Sequence, residues 1–228
     1  PSSIVLQNMA RDYKVTIVGG SIIEKDEKGR FYNTSLVFDH NGTLLAKHRK
    51  VHLFDVYIPG KIVFQESQIL SPGQNITVFN LNGFKAALLI CYDIRFPEMA
   101  RLAVLQGADL LIVPAAFNLT TGPMHWDLLM RSRAVDNQCY VLACSPARNH
   151  DASYQAWGHS LIVDPWGKII VQADQDEEMI YGLLDPGVVQ QVRTELPVLS
   201  QLRIDLYQTV AKHPGVIKER GVEHEIPH

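Results

Sequence analysis

The chain has 228 residues, 46% hydrophobic and 20% charged, an ordinary balance for a globular protein with one sizeable core. Its 21 Lys and Arg residues against 24 Asp and Glu residues give a net charge of −3 without a basic block, so neither nucleic acid nor an anionic membrane is an expected partner. No apolar run approaches the roughly 20 residues that a membrane-spanning helix needs, and a small molecule or a protein is the expected partner.

The first half of the chain predicts a meander of strands. Residues 13–23, 30–39 and 43–50 are rich in β-branched and aromatic residues, and short polar or glycine-containing stretches separate them. Residues 77–93 predict a further hairpin, "TVFNLNG" and "FKAALLICYD", with Asn82 and Gly83 at its turn. The second strand of this hairpin ends in an apolar run, which predicts burial on both faces.

The next segment alternates between helix and strand patterns. "PEMARLAVLQGA" predicts a helix from Pro97 to near Gly107, and "DLLIVPAAF" predicts the strand that follows it. "HWDLLMRSRAVDNQ", residues 125–138, has apolar residues at helical spacing, and "CYVLACSPA" returns to a strand pattern. These alternations indicate an α/β layered domain.

The last part of the chain predicts a hairpin, one more strand and one helix. The hairpin, residues 158–173, turns around Pro165 and Gly167. Residues 178–185 predict the strand, and residues 187–207 predict a helix interrupted at Pro197. We therefore expect a single domain over residues 1–210 and a weakly structured tail over 211–228.

The cysteines indicate a reducing compartment. Cys91, Cys139 and Cys144 are an odd number without a CxxC pair, so neither a disulfide framework nor a zinc site is expected. No signal-peptide pattern opens the chain. The sequence predicts a cytoplasmic protein, with mitochondria as the alternative, and no metal or organic cofactor.

Cys91 lies in "LLICYDIRFPE", where a predicted strand ends and a helix begins. Open α/β sheets present ligand-binding residues at such points, and the helix N-terminus favours a thiolate there. The sequence therefore allows two interpretations, a nucleophile or a small apolar residue of the core.

Two further segments hold candidate partners for Cys91. In "AKHRKVHLFD", strand alternation predicts Lys50 and His52 on one face, and a lysine there could stabilise an oxyanion. In "FQESQILSPG", Glu66 is a lone acid among apolar residues and requires a cationic partner if it is buried.

Five blocks, "HRKVHLFD", "FQESQILSPG", "ICYDIRFPE", "AFNLTTGPMHW" and "RSRAVDNQ", together resemble the nitrilase superfamily, and within it the omega-amidase type. The match runs in the expected order from about Tyr13 to Tyr207. The resemblance implies an α-β-β-α sandwich, usually paired as a homodimer. It also implies a Glu-Lys-Cys catalytic set that hydrolyses carbon–nitrogen bonds.

The resemblance assigns roles to individual residues. Cys91 matches the nucleophile that forms a thioester, Lys50 matches the oxyanion-stabilising lysine, and the N–H of Tyr92 is a second oxyanion donor. Glu66 matches the additional glutamate that many members place against the lysine and the nucleophile. The segment that resembles a substrate-side loop holds Phe117, Asn118, Thr120 and Thr121.

Arg95 and the neighbouring basic residues keep two interpretations. An omega-amidase must recognise the free carboxylate of its substrate, which suits a guanidinium, but Arg95 could instead pair with Asp93 or Glu98. His125 is expected to be a packed residue at a helix start. The "RSRAVDNQ" block is expected to serve packing or a dimer contact, with Arg131, Arg133 and Asp136 forming internal ion pairs.

One part of the family pattern has no match. The first glutamate, the general base, belongs to an initial strand-helix-strand unit that should precede Pro1, and the opening of this chain resembles the second helix of the family instead. Either the sequence is a fragment of an active amidase, or it is a product that lacks the base and serves in binding or oligomerisation. The exposed sheet edges that such a loss would leave favour a fragment.

The sequence thus predicts an amidase that hydrolyses a small carboxylate-bearing amide, such as alpha-ketoglutaramate or succinamate, to an acid and ammonia. A deaminated-glutathione-type amidase and a carbamoylase are the alternatives within the family. A papain-type hydrolase would instead pair Cys91 with His125 or His159, and a catalytically dead binding protein would use none of these groups.

Overall fold

In the computed structural model, residues 2–60 and 62–212 are described, and they form stacked layers of helix and sheet. One sheet of four strands carries a helix on its outer side, with the bounds α1 Ser2–Tyr13, β1 Ile17–Val18, β2 Ile22–Lys25, β3 Phe31–Phe38 and β4 Leu44–Arg49. β4 pairs with β3 over residues 34–38, so β1 and β2 must share the opposite edge of β3. The predicted meander is confirmed.

A larger sheet forms the second layer. Its order is β12-β11-β10-β9-β8-β7 in the described part of the chain, with the bounds β7 Thr77–Leu81, β8 Phe84–Leu88, β9 Leu110–Pro114, β10 Tyr140–Cys144, β11 Leu161–Val163 and β12 Ile169–Gln172. β8, β9 and β10 are parallel, and their connections contain α2 Pro97–Leu105 and α3 Gly122–Asn137. Since parallel strands need crossover connections, these helices cover one face of the sheet.

Two cores hold the layers together. Leu111, Val113 and Val141 of the larger sheet pack against the α2 and α3 layer, which contributes Trp126 and Met130. The opposite face of the larger sheet packs against the smaller sheet through a second apolar cluster, which includes Val37, Phe79, Leu88, Leu110 and Ile112. β9 alternates between the two clusters and is buried throughout, as its apolar sequence requires. With α1 outside the smaller sheet, the architecture is the predicted α-β-β-α sandwich.

Turn residues place the predicted element ends. Asn82 and Gly83 both have positive φ, 46° and 90°, which is the conformation that a tight two-residue hairpin turn needs. α2 starts at Pro97 and ends before Gly107, whose φ is 96°. α3 begins at Gly122, three residues before the predicted start at His125, because the structure also places Pro123 in its first turn, a favourable position for proline.

A small hairpin stands apart from the two sheets. Among the described residues, β5 Asp55–Ile58 and β6 Ile62–Gln65 pair only with each other, and a 3₁₀ turn, Glu66–Gln68, follows β6 directly. The hairpin therefore brings Glu66 back toward the end of β4.

The predicted strand at residues 178–185 is wrong, because this segment pairs with no strand among the described residues. Its large apolar residues are mostly exposed, Met179 at 73%, Tyr181 at 78% and Leu183 at 96%. Periodic side chains do not make a strand unless a neighbouring backbone supplies hydrogen bonds.

The late helix is confirmed only in its first half. α4 runs from Pro186 to Glu195, and Asp185 caps it by accepting a hydrogen bond of 2.8 Å from the N–H of Gly187. Beyond Pro197 the chain forms turns, because proline lacks the N–H that would continue the helix.

Only the beginning of the predicted tail is described. Ala211 and Lys212 are the described part of the predicted tail, and residues 213–228 lie outside the described residues. Over the described residues, no helix is both long enough and apolar enough to cross a membrane.

Candidate active site

A cavity of about 750 Å³ opens where β8, β9 and β10 end. Its wall is mainly apolar and holds Cys91, Lys50, Glu66 and Arg95, with Asn33 from the smaller sheet. Parallel strands present ligand-binding residues at their carboxyl ends, and a mostly apolar pocket with a few converging polar groups is typical of a small-molecule site.

Cys91 begins a 3₁₀ turn, Cys91–Arg95, shortly after the end of β8. Its φ is 48°, an uncommon value for a residue with a side chain and one often associated with functional sites. Burial raises the pKa of its thiol, and the nearby charge of Lys50 acts in the opposite direction. Desolvation therefore favours the protonated thiol in spite of its position on the turn, and the thiol needs a base.

Lys50 and Glu66 form a buried ion pair beside Cys91. Lys50 Nζ lies 2.5 Å from Glu66 Oε2, and the same oxygen accepts a hydrogen bond of 2.7 Å from the N–H of Phe54. The Lys50 residue is only 3% exposed. Lys50 is therefore the cationic partner that a buried Glu66 requires, and the pair fixes the ammonium at the cavity wall.

The backbone around Lys50 is also fixed. Its N–H donates to the carbonyl of Asn33 at 2.8 Å, and its carbonyl accepts from the N–H of Gly73 at 2.7 Å. A side chain at Gly73 would place its Cβ 2.1 Å from the carbonyl oxygen of Arg49. Only glycine therefore allows the "SPG" loop to lie against the strand end that carries Lys50.

Lys50 and His52 do not share a face as strand alternation predicts. β4 ends at Arg49, so the period of two no longer applies to the following residues. The side chain of Lys50 contacts Glu66, whereas that of His52 contacts Asp93.

Asp93 is a buried carboxylate that the sequence assigned only as a possible partner of Arg95. It instead accepts hydrogen bonds from His52 at 2.9 Å and from His48 at 3.4 Å. Burial acts to raise the pKa of Asp93, but the hydrogen bonds from both histidines outweigh it and hold the pKa well below its usual range. No signal in the local sequence distinguishes this aspartate from a surface residue.

Arg95 lies in the cavity wall without a carboxylate partner among the described residues. Its Nη1 donates to His125 Nδ1 at 3.1 Å, and its guanidinium lies 4.7 Å from the ring centre of Phe117. Burial lowers the pKa of Arg95. The alternative of an ion pair with Asp93 or Glu98 is therefore wrong, and His125 is the packed residue expected near the start of α3.

The predicted substrate-side loop is only partly at the cavity. Phe117, Asn118 and Thr121 line it, but Thr120 does not. Asn118 Oδ1 accepts from the backbone N–H groups of Thr120 and Thr121, at 3.0 and 2.9 Å. The amide of Asn118 thus organises the loop that leads into α3, in addition to facing the cavity.

Arg133 stabilises the turn of Cys91 through hydrogen bonds to its backbone carbonyls. Its guanidinium donates to the carbonyl of Ile94 at 2.9 Å and to that of Arg95 at 3.3 Å, and it pairs with Asp136 at 3.4 Å. Arg131 donates to the carbonyl of Gly167 at 2.8 Å. The predicted ion pair is confirmed for Arg133 and Asp136 and is wrong for Arg131.

Tyr154 is a cavity residue that sequence reasoning missed. Its hydroxyl donates to the carbonyl of Ala116 at 2.6 Å, the same oxygen that lies 4.0 Å from Cys91 Sγ. Desolvation raises the pKa of Tyr154 to about 12. Because Tyr154 comes from a distant loop, only the tertiary structure could assign it to the site.

Tyr92 follows Cys91 in the 3₁₀ turn and also lines the cavity. Its ring meets Phe54 edge-on at 5.0 Å, which ties the turn to the segment before β5. Within residues 2–60 and 62–212, no group of three His, Cys, Asp or Glu side chains is arranged as metal ligands.

The comparison with family models identifies the class of this protein as a hydrolase that acts on carbon–nitrogen bonds. The chain matches the carbon-nitrogen hydrolase family model over residues 2–194, and it belongs to this family.

Relatives and solved structures agree with this membership. The chain is 51% identical over 207 residues to omega-amidase NIT2 of Bos taurus, which covers 91% of this chain and 75% of the relative. The crystal structure of Saccharomyces cerevisiae Nit3, a member of branch 10 of the nitrilase superfamily, has a TM-score of 0.81 and 49% identity over 89% of this chain and 71% of that one.

A third similar protein is an amidase from Nesterenkonia sp. AN1. The structure of one of its mutants has a TM-score of 0.69 and 28% identity over 86% of this chain and 73% of that one. That structure shows the result of the Michael addition of acrylamide at the active-site cysteine.

Proposed function

We propose that this protein is an omega-amidase that hydrolyses the terminal amide of a small carboxylate-bearing substrate, such as alpha-ketoglutaramate or succinamate, to an acid and ammonia. The observation that carries the proposal is the convergence of Cys91, Lys50 and Glu66 on one cavity. The omega-amidase relatives at about 50% identity support the same substrate class.

The proposed chemistry follows from the placement of these groups. Cys91 Sγ attacks the amide carbon, and the ammonium of Lys50 and the N–H of Tyr92 stabilise the oxyanion that forms. The carbon–nitrogen bond then breaks, and the thiol proton leaves with ammonia. Water next attacks the thioester, which releases the acid and returns a proton to the thiol. The active-site cysteine of the Nesterenkonia amidase supports the nucleophile assignment.

The ion pair sets the charge of the oxyanion site. Glu66 Oε2 accepts hydrogen bonds from Lys50 Nζ and from the N–H of Phe54, so it holds the amine in place at the cavity wall. The proton of the thiol has to reach the leaving group through a base. The family pattern assigns this base to its first glutamate, which no residue of the printed sequence matches.

Arg95 supports a substrate with a carboxylate. One of its nitrogens donates to His125, and it lies in the cavity wall between two aromatic rings, at 4.7 Å from Phe117 and 5.9 Å from Tyr92. A partly desolvated guanidinium whose other N–H groups remain available binds a carboxylate through charge-assisted hydrogen bonds. Phe117, Asn118 and Thr121 form the adjoining wall.

The test compares two substrates of the same shape. Succinamate and butyramide differ by a carboxylate in place of a methyl group, so their relative rates measure carboxylate recognition separately from the attack on the amide. We expect the full-length protein, assayed with the glutamate that supplies the base, to release ammonia from succinamate faster than from butyramide, and its Cys91→Ala variant to release none from either.

Two outcomes would contradict the proposal. Equal rates for the two substrates would remove the omega-amidase assignment, and equal rates for Cys91→Ala and the unchanged protein would remove the nucleophile. No ammonia release from a full-length protein that carries this glutamate would leave a binding protein as the better interpretation.

A further inference from the structure

We propose that Asp93, His48 and His52 form a carboxylate clamp that positions Cys91 against Lys50. The three residues lie outside the proposed chemistry, yet they connect the two segments that carry it. The inference rests on the proposed function for the roles of Cys91 and Lys50, and it adds a positioning device to them.

Asp93 has a donor on every side. Its Oδ1 accepts from the N–H of His52 at 2.8 Å and from His52 Nδ1 at 2.9 Å, and its Oδ2 accepts from the N–H of Ile90 at 3.0 Å and from His48 Nε2 at 3.4 Å. The side chain is fully buried. A carboxylate can accept about four such bonds, so this one is saturated and has no freedom to rotate.

The donors come from the two segments that matter for the chemistry. Ile90 and Asp93 flank Cys91 on the nucleophile turn, whereas His48 and His52 flank Lys50 by two residues on each side. A single carboxylate thus joins the turn that carries the thiol to the residues on both sides of Lys50, through the N–H and ring of His52 and the ring of His48. The separation of the thiol and the amine depends on these bonds.

The two histidines are themselves anchored to different elements. His48 Nδ1 lies 2.9 Å from the hydroxyl of Thr77 on β7, and the ring of His52 stacks on Phe96 with ring centres 3.6 Å apart. Because Nε2 of His48 donates to the carboxylate, its Nδ1 accepts from Thr77 when the ring is neutral. The clamp therefore fixes the nucleophile turn relative to β4 and to β7.

His52 gives the cleanest test because its side chain can be replaced by one that keeps the donor. The amide nitrogen of asparagine occupies a position similar to that of Nδ1, so His52→Asn retains the hydrogen bond to Asp93 and His52→Ala loses it. His40, exposed in the β3–β4 turn, supplies the matched control His40→Asn. Asp93→Asn is a second test, which removes the charge and half of the acceptors.

The kinetic arm measures ammonia release from succinamate. We expect His52→Ala to lower kcat by about 10-fold to 100-fold, since small displacements of reacting groups have effects of that size, with KM changed less than twofold. His52→Asn should recover most of kcat, and His40→Asn should leave it unchanged. A purely structural role would predict equal kcat in all folded variants, and that result would overturn the clamp.

A second arm needs no turnover. Cys91 is alkylated with anionic iodoacetate and with neutral iodoacetamide, and mass spectrometry of the Cys91 peptide gives the two rates. Both reagents react with the thiolate, so the thiolate fraction cancels in the ratio of the rates. The ratio therefore reports the cationic field at the thiol. We expect His52→Ala to shift the ratio toward that of Lys50→Met, and His52→Asn to restore it.

The two arms separate the two proposals. An unchanged alkylation ratio in His52→Ala overturns the clamp even if ammonia release is normal. A shifted ratio in a protein that carries the family's first glutamate and still releases no ammonia supports the clamp and removes the omega-amidase assignment instead.

Discussion

The two walls of the cavity are built differently. The wall that carries Cys91, Lys50 and Glu66 is buried and bonded at nearly every polar group, through the ion pair, Asp93 and the "SPG" loop. Arg95 lies on the same turn as Cys91, but its side chain donates one hydrogen bond, to His125, and Tyr154 on a distant loop also donates one, to the carbonyl of Ala116. The difference indicates that reacting groups need fixed positions, whereas the recognition of a substrate tolerates side chains that are held by fewer bonds.

The largest expected effect comes from breaking the buried ion pair. Lys50→Met leaves the carboxylate of Glu66 buried without its partner, and we expect the free energy of unfolding to fall by about 3–5 kcal/mol and ammonia release to be lost. Lys50→Met combined with Glu66→Gln should regain most of the stability, because the amide still accepts from Phe54, but none of the activity. Urea unfolding and ammonia assays distinguish these results, and a double variant as unstable as the single one would contradict the explanation.

A smaller effect is expected at Gly73. Gly73→Ala brings a Cβ to 2.1 Å from the carbonyl oxygen of Arg49, so the backbone next to Lys50 must move. We expect the free energy of unfolding to fall by about 1–3 kcal/mol and kcat to fall about 10-fold or more. Gly29→Ala has positive φ but open space around it and is the control for strain alone. Equal loss of activity in both variants would remove the positional argument.

Arg95→Lys tests the other wall. A lysine keeps the charge but loses the planar fork, so KM for succinamate should rise about 10-fold or more while the kinetic constants for butyramide stay unchanged. Steady-state kinetics with both substrates measures this. A parallel loss for both amides would mean that Arg95 supports the fold of the nucleophile turn and does not recognise a carboxylate.

The smallest expected effect is at Tyr154. Tyr154→Phe removes the hydrogen bond to the carbonyl of Ala116, a loss of about 1 kcal/mol that we expect to lower kcat/KM about fivefold. Because the pKa of Tyr154 is raised to about 12, the unchanged protein should keep this donor through neutral and moderately alkaline pH. Tyr13→Phe, at the exposed end of α1, is the control. An unchanged kcat/KM would show that the loop closes the cavity without this bond.

The predictions of a homodimer and of a cytoplasmic or mitochondrial location stay predictions. Sedimentation of the purified chain would test the first of them.

The amino-acid sequence by itself determined the layered architecture and the main reactive groups. Apolar periodicity and turn residues such as Asn82, Gly83 and Pro97 act on a few neighbouring residues, so the elements that they set can be predicted from the sequence. The block that holds Cys91, and a lone acid such as Glu66 among apolar residues, could be singled out for the same reason.

Only the tertiary structure decided which of these groups meet. The segment at residues 178–185 has the periodicity of a strand but lacks a paired backbone, and Asp93 and Tyr154 act through residues far away in the sequence. The thiol of Cys91 gives the sharpest case. Local position favours its charged form, but burial, which depends on the whole fold, raises its pKa. Desolvation and long-range hydrogen bonds are set by packing, and packing is not contained in any short stretch of sequence.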